Sequence, residues 1–187
     1  MKQRKTFLAF LLFAALILSG CTTPEPAGEV SPLDDLDLLA ETVRGLTDLE
    51  VEALLGKPDA QGSGTFSFGY DRPDGTRTVI YFERENRTVQ SVKNEDRYIT
   101  VQAIERSARA QTLLDDPELL WAEAGGVDLL AFRDLLGEPN EVLYSPTRSE
   151  CYQNSTGGTV WVHFSDDEIP TVLRIEIDGQ VIPQNKS

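Results

Sequence analysis

A five-residue block, Leu54-Leu55-Gly56-Lys57-Pro58, returns 81 residues later as Leu135-Leu136-Gly137-Glu138-Pro139, and this recurrence constrains the fold more than any other feature of the chain. The match runs backward without a gap. Asp35, Leu38, Leu39, Gly45, Leu49, Leu54, Leu55, Gly56 and Pro58 align with Asp116, Leu119, Leu120, Gly126, Leu130, Leu135, Leu136, Gly137 and Pro139. Average composition would give roughly one or two identities over a stretch of this length. Leucine-rich helices inflate such a count, but paired glycines and prolines do not arise that way.

Each aligned position has a physical task. Thr47 and Asp128 stand where a side-chain oxygen caps the first free N–H groups of a helix, and Thr47 with Glu50 has the spacing of a capping box. Val51, Leu54 and Leu55 make one apolar helix face, as do Phe132, Leu135 and Leu136. Gly56 and Gly137 follow the last turn, where a positive φ suits glycine, and the proline two residues on stops the helix from resuming. A further short helix is expected before each, over 35–43 and 116–124.

After each helix pair the hydrophobic period changes to two. Strands are expected over 65–70, 78–83 and 88–92, then over 141–144 or 150–153, 159–164 and 171–177, with turn signals at 71–75 and 154–158. Between them, 98–101 suits a strand and 103–114 a connecting helix. The expected fold class is α+β: two tandem helix-helix-β-meander repeats of about three strands each, forming an antiparallel sheet with helices packed on one face. The repeats occupy 35–93 and 116–187, joined by a connector over 94–115.

The N-terminus has a different character. Lys2, Arg4 and Lys5 precede an unbroken apolar run over 7–18, then Ser19, Gly20 and Cys21. As a helix that run reaches only about 18 Å against a hydrocarbon core of about 30 Å, so it suits a signal peptide over 1–20 rather than a membrane span. Leu18-Ser19-Gly20-Cys21 resembles the bacterial lipobox, which implies cleavage before Cys21 and acylation of its thiol. Buried acyl chains contribute roughly 0.8 kcal/mol per CH₂, enough for a lasting anchor in the cell membrane or outer membrane, facing away from the cytoplasm. The proline-containing stretch within 21–34 then reads as a flexible tether. A lipidated Cys21 cannot enter a disulfide, which leaves Cys151 as a packing residue without a partner.

Charge narrows the partners. The whole chain has 17 basic and 31 acidic residues, and the three basic residues of the leader are lost on cleavage. So acidic a body excludes nucleic acid as a partner and offers no basic patch to a membrane surface, which leaves the lipid anchor as the membrane attachment.

The string Gly45-Leu46-Thr47-x-x-x-Val51-x-x-x-Leu55-Gly56-x-Pro58, followed by an aromatic strand and an apolar strand ending in Phe82, resembles the BamE-like (SmpA/OmlA) lipoprotein fold. Its second occurrence carries Val127-Asp128 and Phe132 at the corresponding places. Two such units in tandem resemble the β-lactamase inhibitor protein family, which implies one sheet with a concave open face. Those inhibitors are disulfide-bonded, whereas this chain has no cysteine pair for that purpose.

Strand alternation nominates the open-face residues. Ile80 and Phe82 inward send Val79, Tyr81 and Glu83 outward; Val160, Val162 and Phe164 inward send Trp161 and His163 outward; Leu173, Ile175 and Ile177 inward send Arg174 and Glu176 outward. Tyr81, Trp161, His163 and Arg174 are residue types that dominate protein interfaces, and are expected to bind an envelope or exported protein. The alternative is that Trp161 and Tyr81 cover the far side of the sheet or lie under a loop. His163 is the only histidine, so a His-based metal cluster is excluded and no cofactor is implied. A Cys151 nucleophile with His163 as its base is the one catalytic pairing left to consider. The acidic runs at 34–37 and 115–116 read as helix-start residues, and 166–168 as a solvated turn. The expected role is that of a non-catalytic protein-binding module, either an envelope scaffold or an inhibitor of an exported enzyme such as a β-lactamase. The alternative is a sensor of small molecules or cell-wall fragments.

Overall fold

The computed structural model describes residues 31–62 and 66–183. The leader at 1–20, Cys21 and the tether as far as residue 30 lie outside the described residues. The last tether positions do not follow the expectation: Pro32–Asp34 form a 3-10 turn, and Leu33 packs against the first core.

Among the described residues, five α-helices and ten strands follow in chain order: α1 (Leu36–Thr42), α2 (Asp48–Leu55), β1 (Ala60–Gly62), β2 (Ser67–Asp71), β3 (Arg77–Phe82), β4 (Val89–Lys93), β5 (Arg97–Thr100), α3 (Ala108–Asp115), α4 (Pro117–Ala124), α5 (Leu129–Leu136), β6 (Glu141–Leu143), β7 (Ser149–Gln153), β8 (Thr159–Phe164), β9 (Val172–Ile177) and β10 (Gln180–Val181). The strands form one antiparallel meander in sequence order. The protein is α+β. The segment expected to be a connector contributes β5 to the sheet and α3 to the second core.

The helix ends are set by the residues the sequence marks. Thr47 and Glu50 complete a capping box on α2, Asp35 and Asp116 cap α1 and α4, and Asp128 accepts from the Leu130 and Ala131 N–H groups at the start of α5. Gly56 (φ 85°, ψ −178°) and Gly137 (φ 77°, ψ −161°) close α2 and α5 in a region that essentially only glycine occupies.

Two apolar cores flank the sheet. The first packs Leu39, Val43 and Val51 onto Phe68, Ile80, Phe82 and Val92; the second packs Leu113, Leu120, Phe132 and Leu136 onto Tyr152, Val162, Phe164 and Ile175. Edge-to-face rings lock both, with Phe68–Phe82 at 4.8 Å and Phe132–Phe164 at 5.4 Å between centroids. Leu54 is 51% exposed and so lies off the buried helix face expected for it.

The register shows that the helices do not share one face. Ile80 pairs with Val92, Val92 with Ile99, Ile99 with Glu141, Glu141 with Cys151 and Cys151 with Trp161. The neighbouring row runs Val79, Lys93, Tyr98, Val142, Glu150, Val162 and Ile175. Paired residues point to the same side of a sheet and successive residues to opposite sides. Helices α1 and α2 therefore cover the side bearing Ile80 and Val92, while α3, α4 and α5 cover the side bearing Val162 and Ile175. Ion pairs agree with this placement: Arg97, on the Ile99 side of β5, bonds Asp37 of α1 at 2.7 Å, and Glu150, on the Val142 side, accepts from Arg133 of α5 at 2.8 Å.

The cause is the strand count. Five strands, an odd number, separate the start of β1 from the start of β6, so β6 runs antiparallel to β1. A helix layer that keeps its handed relation to the strands it precedes must then change sides.

Candidate binding surface

Each helix layer covers only half of its side, which leaves two bare sheet surfaces. Over β7, β8 and β9 the bare side carries Ser149, Cys151, Trp161, His163, Arg174 and Glu176. The alternation in β8 is the one the sequence predicts: Val160, Val162 and Phe164 are buried, and Trp161 and His163 are half-buried on the other side. In β9 a register shift opposite His163 and Phe164 makes Leu173 an extra residue. Leu173 is consequently 60% exposed instead of inward as expected. Past the shift, Arg174 stands across from His163 and Glu176 across from Trp161.

These groups form a chain of contacts. Ser149 Oγ lies 2.8 Å from His163 Nδ1, His163 Nε2 lies 3.5 Å from Glu176 Oε1, and Arg174 Nη2 forms an ion pair with the same carboxylate oxygen at 2.9 Å. Burial, and then the neighbouring Arg174 guanidinium, lowers the His163 pKa, with Glu176 opposing. The shift favours the neutral imidazole, and its buried Nε2 has no hydrogen-bond partner among the described residues. Ser149 is only 5% exposed, so its hydroxyl is poorly placed to reach a substrate carbonyl.

Cys151 faces Trp161 across the strands, while His163 faces Ser149. Burial pushes the Cys151 thiol up to about 12. A thiol that stays protonated at neutral pH is a poor nucleophile, so the Cys151–His163 pairing lacks both the contact and the thiolate.

Tyr81 is not on this surface. It shares the opposite side of the sheet with Val79, Lys93 and Tyr98, because the odd strand count turns the bare face over between the two halves. Burial, followed by neighbouring Tyr98 and Tyr144, raises the Tyr81 pKa. Lys93 Nζ and the Arg148 guanidinium carbon lie 5.1 Å and 5.5 Å from the Tyr144 ring centroid, within cation–π range. Sequence reasoning missed this second, tyrosine-rich patch. The strand signal at Tyr98 was available, but only its pairing between β4 and β6 brings it beside Tyr81 and Tyr144.

A concavity of about 610 Å³ is lined by Glu141 and Cys151, from the Trp161 side of the sheet, together with Arg44, Arg106, Asn140 and Asn154. The acidic runs serve other ends. Asp37 pairs with Arg97, Asp34 with Arg72, and Asp115 accepts from the Ser155 N–H. Among the described residues no group of three or more His, Cys, Asp or Glu side chains is placed to hold a metal ion. No helix of the described residues is long and apolar enough to cross a membrane. No protein-family model, curated protein or solved structure matches the chain.

Proposed function

We propose that this chain is a membrane-anchored, extracytoplasmic lipoprotein that acts as a non-catalytic protein-binding module, built from two BamE-like repeats. The observation that carries the reading is the bare surface of β7, β8 and β9, where Trp161, His163, Arg174 and Glu176 stand together on the side that α3, α4 and α5 leave uncovered. A half-buried tryptophan and an exposed arginine beside an exposed Leu173 have the composition of an interface centre.

Duplication is supported by paired details. The N-cap residues Thr47 and Asp128 each form an isolated bridge to the residue just before a strand, Thr88 before β4 and Thr171 before β9, and strand irregularities follow Tyr81 and His163. Each irregularity precedes a buried phenylalanine, Phe82 or Phe164. The Leu18-Ser19-Gly20-Cys21 motif supports the anchor. Within this reading the partner is an envelope or exported protein, met either as part of an envelope scaffold or as an enzyme to be inhibited, such as a β-lactamase. A second reading, a sensor of small molecules or cell-wall fragments, is favoured by the 610 Å³ concavity, which is within the size range of ligand pockets.

Two measurements test the proposal. Metabolic labelling with palmitate should mark the wild-type chain and fail on Cys21→Ala. Affinity capture from membranes should retain a partner on wild type and Tyr81→Ala, and lose it on Trp161→Ala/Arg174→Ala. Equal retention by all three would reject the surface, and hydrolysis of a substrate that depends on His163 would reject the non-catalytic role.

A further inference from the structure

Arginine in this acidic chain is normally matched to carboxylate: Arg72, Arg77, Arg87, Arg97, Arg109, Arg133, Arg148 and Arg174 all pair with Asp or Glu. Arg44 and Arg106 depart from this pattern, and both line the same concavity. Arg44 Nη1 donates to the Val101 carbonyl at 2.6 Å. Arg106 Nη1 donates to the Leu136 and Glu138 carbonyls, each at 2.9 Å, and its Nη2 to Asn140 Oδ1 at 2.7 Å. The Arg106 guanidinium also stacks over the Tyr152 ring at 5.0 Å. Among the described residues neither guanidinium has a carboxylate partner.

The amides of the lining add donors. Asn140 Oδ1 accepts from Arg106 and from the Gln153 N–H, and Asn154 Oδ1 accepts from the Thr156 and Gly158 N–H groups. Among the described residues their Nδ2 groups are left as the uncommitted ends. The acid in the lining, Glu141, is already bonded to Arg97. Burial is the main influence on Arg106 and works against its charged form, a cost that a bound anion would offset.

We infer that this concavity is a binding site for a small oxyanion, a carboxylate or a phosphate, held by Arg44 and Arg106 with the Asn140 and Asn154 amides. Guanidinium forks match both anions, and polar amides around them suit a ligand that also carries hydroxyl groups. The inference rests on the second reading, a small-molecule site in this concavity, and not on the Trp161 surface, so the protein-binding assignment can fail while this one stands.

The test is calorimetric titration of the full chain with inorganic phosphate, D-glucuronate and D-glucose, repeated on Arg44→Gln, Arg106→Gln and, as a control away from both surfaces, Arg77→Gln. Saturable binding of phosphate or glucuronate and none of glucose is the expected result, with the stronger of the two anions identifying the ligand's charged group. Arg44→Gln should weaken that binding about tenfold or more, and Arg77→Gln should leave it unchanged. Arg106 also holds the end of α5 through the Leu136 carbonyl, so the exposed Arg44 is the decisive position if Arg106→Gln fails to fold. No saturation by either anion up to about 10 mM, equal binding of glucose, or wild-type affinity in Arg44→Gln would overturn the inference.

Discussion

Glu150→Gln probes the most concentrated charge network in the second core. Glu150 is fully buried, and its Oε1 accepts from Arg133 at 3.1 and 2.8 Å and from Arg148 at 3.0 and 2.7 Å. Its Oε2 accepts from the Tyr152 hydroxyl at 2.7 Å. Glutamine keeps the shape and removes the charge, stranding two guanidiniums. Removing one partner of a buried pair costs about 3–5 kcal/mol. The arginine side chains are 28% and 25% exposed, and Arg133 keeps Glu138 at 3.4 Å, so water and a second acid moderate the loss. The expected cost is therefore about 3 kcal/mol, at the low end of that range. With a urea m-value of about 2 kcal/mol/M, the unfolding midpoint at pH 7 should fall by about 1.5 M. Tyr152→Phe should cost less, about 1.5 kcal/mol, and the double variant should fall short of the sum, because both changes act on one carboxylate. A midpoint shift under about 0.5 M for Glu150→Gln, with m unchanged, would refute the claim that this carboxylate neutralises the two arginines.

Other outcomes follow from the same geometry. Gly56→Ala should destabilise by about 1–3 kcal/mol through backbone strain alone, since a Cβ there meets no atom within 4 Å; an equally stable variant in urea unfolding would contradict the cap geometry. Val51→Ala should cost about 2 kcal/mol, whereas Leu54→Ala should stay within about 0.5 kcal/mol, a contrast that equal losses would remove. Because the His163 pKa is lower when folded, the unfolded chain binds more protons just below the ordinary histidine pKa of about 6.5. The His163 contribution should thus weaken stability as pH falls through that value, and His163→Gln should flatten this part of the profile; an unchanged slope would refute the assignment. Cys151, with its thiol pushed up to about 12 by burial, should resist a thiol reagent at pH 8 until denaturant is added, as read by mass spectrometry. Rapid labelling of the folded chain would show the site to be open.

Local chemistry was legible in the sequence because it is decided within a few residues. The Thr47 capping box, the glycine stops at Gly56 and Gly137 and the alternation of β8 depend on neighbours in the chain, and they stand where the pattern puts them. The grouping of Trp161, His163 and Arg174 was legible for the same reason, since β8 and β9 are adjacent strands. Leu54 and Leu173 escaped prediction because a helix's tilt on its sheet and a register shift are set by packing partners, to which a hydrophobic pattern is blind. What tertiary structure alone decided is the side of the sheet. The short strand β5 lies in the segment the sequence marks as a connector, yet it makes the step from β1 to β6 five strands, and that odd number separates Tyr81 from Trp161 and sends the two helix layers to opposite faces. Arg44 and Arg106 meet at one concavity for a similar reason: they are distant in sequence, and only the folded chain brings both guanidiniums to it.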